Sequence, residues 1–213
     1  MIVVVADDLT GAAELAGIAF SHGLTAEVQT GFNPKTDVDV ICLDTNTRLL
    51  SAKDAAAKLR IIAKRIVAAK PNWIYKKTDS VLRGNIGIEL HTLLEVTARP
   101  RAIFVPANPS RQRVVREGCY FIGNMPLHET YFANDPHHPA TTSVVSQIIG
   151  NDPAILIPDA ESESDLDGPA RQCDSLVLAA GAADFFAANL HAQGHKPVPV
   201  ITQPHSGCTL FVC

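Results

Sequence analysis

The stretch Ile2-Val3-Val4-Val5-Ala6-Asp7-Asp8 decides the fold of this chain. A short, unbroken run of β-branched residues is typical of a strand that is buried on both faces, as in a parallel sheet. A helical pattern follows from about Thr10 to Ser21, and His22-Gly23 ends it. A buried strand that leads directly into a helix of this length indicates a βαβ unit, in which helices cover the sheet.

The same alternation continues along the chain. Further strands are predicted at 25–29, 38–43, 73–77, 102–105, 154–157 and 176–179. Further helices are predicted at 51–69, 84–97, 143–149 and 182–191, and a hairpin-like excursion around 119–122. The acidic stretch 161–174 is predicted to be a mobile surface segment. The pattern therefore predicts an α/β fold of three layers, α/β/α, around a mostly parallel sheet.

Composition excludes several classes of protein. With 46% hydrophobic and 19% charged residues in 213, the chain is globular rather than disordered. Its net charge of −4 gives no reason to expect a nucleic-acid partner. The amino terminus lacks a basic signal-peptide start, and no window reaches the roughly 20 apolar residues of a membrane span. We therefore expect a cytoplasmic protein.

The five cysteines do not have the spacing of a zinc site. None lies within four residues of another, and their number is odd. We expect reduced thiols that pack as small hydrophobic groups. The cysteines are Cys42, Cys119, Cys173, Cys208 and Cys213.

Charged and polar side chains follow four of the predicted strands. In an open parallel sheet, ligands bind in the crevice beyond the carboxyl ends of the strands. Arginine presents a planar fork to a carboxylate or phosphate, lysine presents a point charge, and aspartate accepts hydrogen bonds or a proton from a hydroxyl. This mixture favours a polyhydroxylated acid as the ligand. The residues at this edge are Asp7, Asp8, Asp44, Arg48, Lys77, Asp79, Arg83, Asn108, Ser110, Arg111 and Arg113.

Each of these residues also has an ordinary structural interpretation. Asp8 can simply cap the helix that follows it, which typically contributes ~1 kcal/mol. Lys76 and Lys77 can be a solvated strand end, and Arg111 and Arg113 can belong to a wet loop. One such residue alone is more often structural than functional. The arrival of four segments at the same edge is what favours a binding site.

Searches for other motifs are negative. The sequence contains neither G-x-x-x-x-G-K-[S/T] nor G-x-G-x-x-G, so it offers no glycine-rich cradle for nucleotide phosphates. It also has no G-x-S-x-G elbow. His137-His138 lies in a polar loop and is interpreted as surface histidine, with metal binding as the alternative. His128-Glu129 is a further candidate to reach the pocket.

Three motifs resemble one known family in order along the first 140 or so residues. Ala6-Asp7-Asp8-Leu9-Thr10-Gly11-Ala12 resembles the amino-terminal signature of the four-carbon acid sugar kinases. Lys77-Thr78-Asp79-Ser80-Val81-Leu82-Arg83-Gly84-Asn85 resembles the family's K-T-D-S-T-L-R-G-N. The segments 105–113 and 126–136 are similar to later family elements, and 181–183 is weakly similar to another.

The resemblance implies an enzyme that phosphorylates threonate, erythronate or oxo-tetronates with ATP and Mg²⁺. The family's amino-terminal domain binds the small-molecule sugar acid, and a second domain binds the nucleotide. In this chain the implied site residues, including Asp8 as the candidate catalytic base, are Asp7, Asp8, Lys77, Asp79, Arg83, Asn85 and Arg113. The segment 109–113 departs from the commoner proline-glycine-arginine version, which leaves the identity of the sugar acid open.

The resemblance also predicts a domain organisation. Residues 1–203 are expected to form the sugar-acid-binding domain, and 204–213 a linker and the first strand of an absent nucleotide-binding domain. We expect the chain to be inactive alone, with no tight ATP site, and to pair with a separate nucleotide-binding domain or with itself through 209–212. The alternatives are a stand-alone sugar-acid-binding or regulatory protein, and an enzyme of other chemistry that uses Asp8 and Lys77.

Overall fold

The computed structural model describes residues 1–199. Within that range the strands are β1 (Ile2–Ala6), β2 (Ala26–Gln29), β3 (Val40–Asp44), β4 (Trp73–Lys77), β5 (Arg101–Val105), β6 (Arg113–Arg116), β7 (Cys119–Ile122), β8 (Met125–Pro126), β9 (Ile155–Leu156) and β10 (Val177–Gly181). The α-helices are α1 (Leu9–Ser21), α2 (Ala52–Ala68), α3 (Ile86–Thr97), α4 (Val145–Ile149), α5 (Asp167–Arg171) and α6 (Ala183–Ala192).

Seven strands form one parallel sheet in the order β2-β3-β1-β4-β10-β5-β9. Helix α1 packs with α6, and α2 packs with α3, so helices cover the sheet in separate layers. β1, β3, β4 and β10 are buried along their whole length, as strands covered on both faces of a parallel sheet should be. The predicted three-layer α/β/α fold is confirmed.

The carboxyl ends of the central strands lie in one row. Ala6 of β1 pairs with Asp44 of β3 on one side and with Lys77 of β4 on the other. Gly181 of β10 pairs with Lys77 and with Val105 of β5. From β1 the chain continues through α1 to β2, toward one edge of the sheet. From β4 it continues through α3 to β5, toward the other edge. The gap between β1 and β4 is therefore the switch point at which such sheets bind ligands.

β10 lies in the middle of the sheet, although it is the last strand in sequence within residues 1–199. Aromatic side chains anchor it and α6 to β4: the Trp73 and Phe186 rings stack with centroids 5.6 Å apart. The Tyr75 hydroxyl donates to the carbonyl of Ala182 at 2.7 Å. The strand predicted at 176–179 is thus confirmed, and it completes the core between β4 and β5.

One prediction on the second half of the chain is corrected. The buried strand expected at 154–157 is only the two-residue edge strand β9, and Leu156 is 54% exposed. The stretch 161–174, predicted as a mobile surface segment, lies mostly at the surface and contains a 3₁₀ turn (Glu163–Leu166) and α5. Its buried Leu166 pins it to the core, and Ser162 and Asp165 form a capping box.

The predicted excursion around 119–122 is confirmed as a separate antiparallel sheet. β7 pairs with β6 on one side and with β8 on the other. β6 begins at Arg113, so this small sheet fixes one predicted site residue.

None of the helices in residues 1–199 is both long and apolar enough to cross a membrane. The expectations for the domain boundary at 203 and for the strand at 209–212 fall outside the described residues.

Candidate functional site

Arg48, which follows β3, holds both carboxylates that follow β1. Its Nε and Nη2 donate to the two oxygens of Asp7 at 2.7 and 3.0 Å, and its Nη1 donates to Asp8 Oδ2 at 2.6 Å. Burial alone would lower the pKa of Arg48, but the hydrogen bond and charge of Asp7 raise it above its ordinary value. Arg48 is therefore a permanent cation that joins the ends of two strands.

Asp8 also begins helix α1. Its Oδ1 accepts a hydrogen bond from the Gly11 amide at 2.8 Å, which is a standard N-cap. A Cβ on Gly11 would stand 2.8 Å from that oxygen and 3.3 Å from Lys77 Cγ. The glycine thus lets Asp8 and Lys77 approach each other across the helix start. The Asp8 side chain keeps 27% of its surface exposed, so one carboxylate of the cluster faces solvent.

Lys77, the last residue of β4, is buried beneath this helix start. Its Nζ donates to the carbonyl of Thr78 at 2.9 Å and lies 3.2 Å from Glu14 Oε2 of α1. The interpretation of Lys77 as a solvated strand end is wrong. The same holds for Lys76, whose side chain is 1% exposed on the opposite face of the sheet.

Asp79 organises the turn that follows β4. Its oxygens accept from Arg83 Nε and Nη2, both at 2.9 Å, and from the amides of Val81 and Arg83 at 3.1 and 3.2 Å. Burial raises the pKa of Asp79, but the Arg83 hydrogen bond and the Arg48 charge outweigh burial and lower it. These contacts hold Leu82 at φ 64°, a left-handed conformation that is costly for a branched side chain.

Arg113 reaches the same turn from the small antiparallel sheet. Its Nη1 donates to Ser80 Oγ, and the Tyr120 hydroxyl donates to the Ser80 carbonyl at 2.6 Å. In the part of the chain that the structure describes, no carboxylate lies within ion-pair distance of Arg113, which is half-buried. Arg48, Lys77 and Arg83 all have such partners.

The structure brings most of the predicted site residues together. Contacts link Asp7, Asp8, Asp79 and Arg83 through Arg48, which is 3.4 Å from Asp79 Oδ1. Asn85 does not contact these side chains through its own; its Nδ2 donates to the carbonyls of Thr47 at 3.1 Å and Leu50 at 2.9 Å. It holds the loop that carries Arg48.

Arg48 is the residue that sequence reasoning left out of the candidate site. The sequence places it at the correct edge, after a buried strand. The signal that could have found it is the pair of adjacent aspartates after β1, because two carboxylates at a buried strand end need a cation nearby.

A cavity adjoins this cluster. It has a volume of about 370 Å³ and includes Leu82, Gly84 and His138 in its lining. His138 Nε2 lies 3.0 Å from the Arg48 carbonyl, so this histidine contacts the cluster rather than standing free on the surface. His128, the other histidine singled out, is hydrogen-bonded to Ser143 Oγ through Nδ1 at 2.7 Å.

The carboxylates of the cluster do not fit a magnesium site. Both oxygens of Asp7 accept from Arg48, both oxygens of Asp79 accept from Arg83, and Asp8 accepts from Gly11 and Arg48. Over residues 1–199, no group of three or more His, Cys, Asp or Glu side chains is arranged to hold a metal.

A cluster of interleaved acids and bases at the switch point of a parallel sheet defines an α/β domain with a site for a small polar ligand. A family model described as a sugar-binding N-terminal domain matches residues 2–154, and the chain belongs to that family. The resemblance to the amino-terminal domain of the four-carbon acid sugar kinases is confirmed.

Curated relatives carry kinase names. The chain is 31% identical over 157 residues to a D-threonate kinase from Salmonella typhimurium, covering 69% of this chain and 36% of that protein. It is 34% identical over 155 residues to a D-threonate kinase from Bordetella bronchiseptica, covering 69% and 38%. The chain thus spans little more than a third of the length of these relatives.

A solved structure shares the fold. A Bordetella bronchiseptica domain of unknown function, crystallised with bound citrate as a domain-swapped dimer, superposes with a TM-score of 0.83 at 26% identity. The match covers 90% of this chain and 57% of that one. A Haemophilus influenzae protein has the same fold, with a TM-score of 0.82 at 20% identity.

Proposed function

We propose that this chain is the substrate-binding part of an ATP-dependent kinase for four-carbon sugar acids of the threonate, erythronate or oxo-tetronate type. One observation carries the proposal: Arg113 is the cation of the cluster that has no carboxylate partner among residues 1–199. An arginine held in place but not neutralised is suited to receive an external carboxylate.

The ligand class has further support from known proteins. The curated relatives with the highest similarity reported above act on D-threonate by name. The Bordetella structure of the same fold holds citrate, which is itself a hydroxy acid. A four-carbon sugar acid has the same two kinds of group, a carboxylate and hydroxyls.

The roles of the site residues follow from their partners. Arg113 binds the substrate carboxylate, and Ser80 keeps its guanidinium in position. Asp8 is the exposed carboxylate, so it accepts a hydrogen bond from a substrate hydroxyl and is the candidate general base. Lys77 and Arg83 supply positive charge around the ligand while remaining paired with Glu14 and Asp79.

The phosphoryl donor side of the reaction lies with a separate nucleotide-binding domain in this proposal. Phosphoryl transfer depends on positioning and on charge stabilisation around the phosphates. The sequence has no glycine-rich cradle for nucleotide phosphates, so this chain is expected to bind the sugar acid without turning it over. Self-association of the chain is the alternative partner arrangement, and light scattering on the full chain across the micromolar range tests it.

Isothermal titration calorimetry tests the proposed function. D-threonate, D-erythronate and 3-oxo-tetronate are each titrated into the chain, with erythritol as the neutral four-carbon control. At least one acid is expected to bind, and erythritol is not. Arg113→Met should weaken binding of the acid at least tenfold. Arg116→Met is the matched control, because Arg116 lies on the same strand as Arg113, is 47% exposed and pairs with Glu161 outside the site, and it should bind like the wild type.

Three outcomes would contradict the proposal. Equal binding of erythritol and the acids would show that the site does not recognise the carboxylate. Equal losses of affinity in the Arg113 and Arg116 variants would show that Arg113 has no specific role in binding the acid. Steady phosphorylation of an acid by the chain and ATP alone would show that the nucleotide site is not separate.

A further inference from the structure

A buried ion pair lies directly beneath the candidate site. Lys76 Nζ of β4 is 2.7 Å from Glu89 Oε2 of α3, and the two side chains are 1% and 2% exposed. Lys76 and Lys77 point to opposite faces of the sheet, because alternate residues of a strand do so. Lys77 pairs with α1 and Lys76 with α3, so successive lysines join β4 to both helix layers.

The pair closes the base of the loop that carries the site. Lys76 Nζ also donates to the Lys77 carbonyl at 2.9 Å, which fixes the backbone where β4 ends. Glu89 lies in the first turn of α3, and its amide donates to the Asn85 carbonyl at 3.0 Å. The ion pair therefore ties together the two ends of the segment 78–85, which contains Asp79 and Arg83.

Stability does not explain this arrangement. A buried ion pair repays its desolvation only when its remaining hydrogen-bonding groups are satisfied, and apolar replacements are often as stable. Glu89 Oε1 is buried without a hydrogen-bond partner among the described residues, and so is Thr78 Oγ1. What the pair does provide is a fixed position of α3 relative to the end of β4, because Lys76 binds both the Glu89 carboxylate and the Lys77 carbonyl.

We propose that Lys76 and Glu89 are positioning residues that set the geometry of the loop 78–85, and thereby the affinity of the site, without touching the ligand. This inference rests on the proposed function for its ligand readout. It goes beyond that function because it assigns a role to two residues outside the site.

The test replaces the ion pair by apolar side chains of similar length in the double variant K76M/E89M. Its melting temperature should stay within a few degrees of the wild type. Its affinity for the tightest sugar acid in calorimetry should fall at least tenfold, and the amides of 78–85 should exchange hydrogen faster. A second variant, K76Q/E89Q, whose amides can still bond to each other, should recover part of the affinity.

The matched control is R60M/E95M. Arg60 and Glu95 also join a neighbouring element to α3, but their side chains are 38% and 53% exposed and lie at the other end of the helix. This variant should keep both the wild-type affinity and the wild-type exchange at 78–85. If K76M/E89M keeps them as well, the proposal is overturned. It is also overturned if neither double variant folds, because the pair is then needed for the fold itself.

The two readouts separate this inference from the proposed function. If the wild type binds none of the acids, the proposed function fails, and hydrogen exchange at 78–85 still decides whether the pair positions the loop. If the wild type binds an acid but K76M/E89M exchanges hydrogen at 78–85 at the wild-type rate, the positioning role is wrong and the proposed function stands.

Discussion

Arg48, after β3, makes a bidentate ion pair with Asp7, after β1: Nε and Nη2 donate to the two carboxylate oxygens at 2.7 and 3.0 Å. The Asp7 side chain is 3% exposed, so its carboxylate is shielded from water and is neutralised by the Arg48 guanidinium. Gly84 completes the packing: a Cβ there would stand 3.2 Å from Asp7 Oδ2, and its φ of 90° suits glycine. The pair therefore forms the structural centre of the candidate site.

Arg48→Met should strongly destabilise the domain. The substitution leaves the buried Asp7 carboxylate without its cation, and removing one partner of a buried pair costs about 3–5 kcal/mol in the free energy of unfolding. Urea denaturation followed by circular dichroism at pH 7 measures the change.

Arg60→Met is the control for that experiment. Its partner Glu95 is half exposed, and exposed pairs contribute little, so its unfolding curve should nearly overlay the wild type. An Arg48→Met curve that also overlays the wild type would mean that Asp7 does not depend on Arg48.

Acid should destabilise the domain partly through Asp79. Arg83 and Arg48 hold the pKa of Asp79 below its ordinary value of 3.8, despite burial. A carboxyl group whose folded pKa is depressed stabilises the fold above pH 3.8, and that contribution is lost as pH falls through the lower folded pKa. Melting temperatures between pH 6 and pH 2.5 should therefore fall less steeply below pH 4 in Asp79→Asn than in the wild type.

Other carboxylates also contribute to the fall in melting temperature at low pH. Asp165 also has a lowered pKa, because the Ser162 hydroxyl and nearby amides bond to it, and it lies in another part of the fold. Asp165→Asn is therefore the control, and it should keep the part of the acid sensitivity that comes from Asp79. Parallel melting profiles for the wild type and Asp79→Asn below pH 4 would rule out the Asp79 contribution.

Local patterns predicted the elements of this fold, but not every contact between them. The β-branched run of β1 and the helix after it follow from short-range preferences, so their positions were predicted within a residue or two. The place of β10 between β4 and β5 depends on pairing across more than 70 residues, which no local pattern encodes. The sequence predicted a surface segment at 161–174 but not its helical turns, because the buried Leu166 and Ala170 that anchor them stand among polar residues.

The same division holds for the site. Motif resemblance proposed Asp8, Lys77 and Asp79 as candidate site residues, because each lies within a recognisable stretch of sequence. Arg48 was missed as a site residue because its role comes from the register of β3 against β1, which places Asp44 beside Ala6. A solvated strand end stayed open as an interpretation of Lys76, because a sequence does not reveal that Glu89 faces it from α3.

Two glycines of helix α1 separate the requirements of the site from those of the helix. A Cβ at Gly11 would meet Asp8 Oδ1 at 2.8 Å and Lys77 Cγ at 3.3 Å, whereas a Cβ at Gly17 would meet nothing within 4 Å. Alanine is a better helix former than glycine by about 0.5–1 kcal/mol. Gly17→Ala should therefore stabilise the protein by that amount and leave sugar-acid binding unchanged.

Gly11→Ala should give a different result. The added methyl forces the Asp8 carboxylate away from the Gly11 amide, and losing an N-cap costs about 1 kcal/mol, which offsets the gain in helix propensity. Stability should thus stay near that of the wild type, while affinity for the sugar acid falls because Asp8 has moved. Thermal unfolding and calorimetry on both variants measure the two effects. If Gly11→Ala stabilises as much as Gly17→Ala and binds as tightly, Asp8 is not held by the Gly11 approach, and its proposed place in the site is wrong.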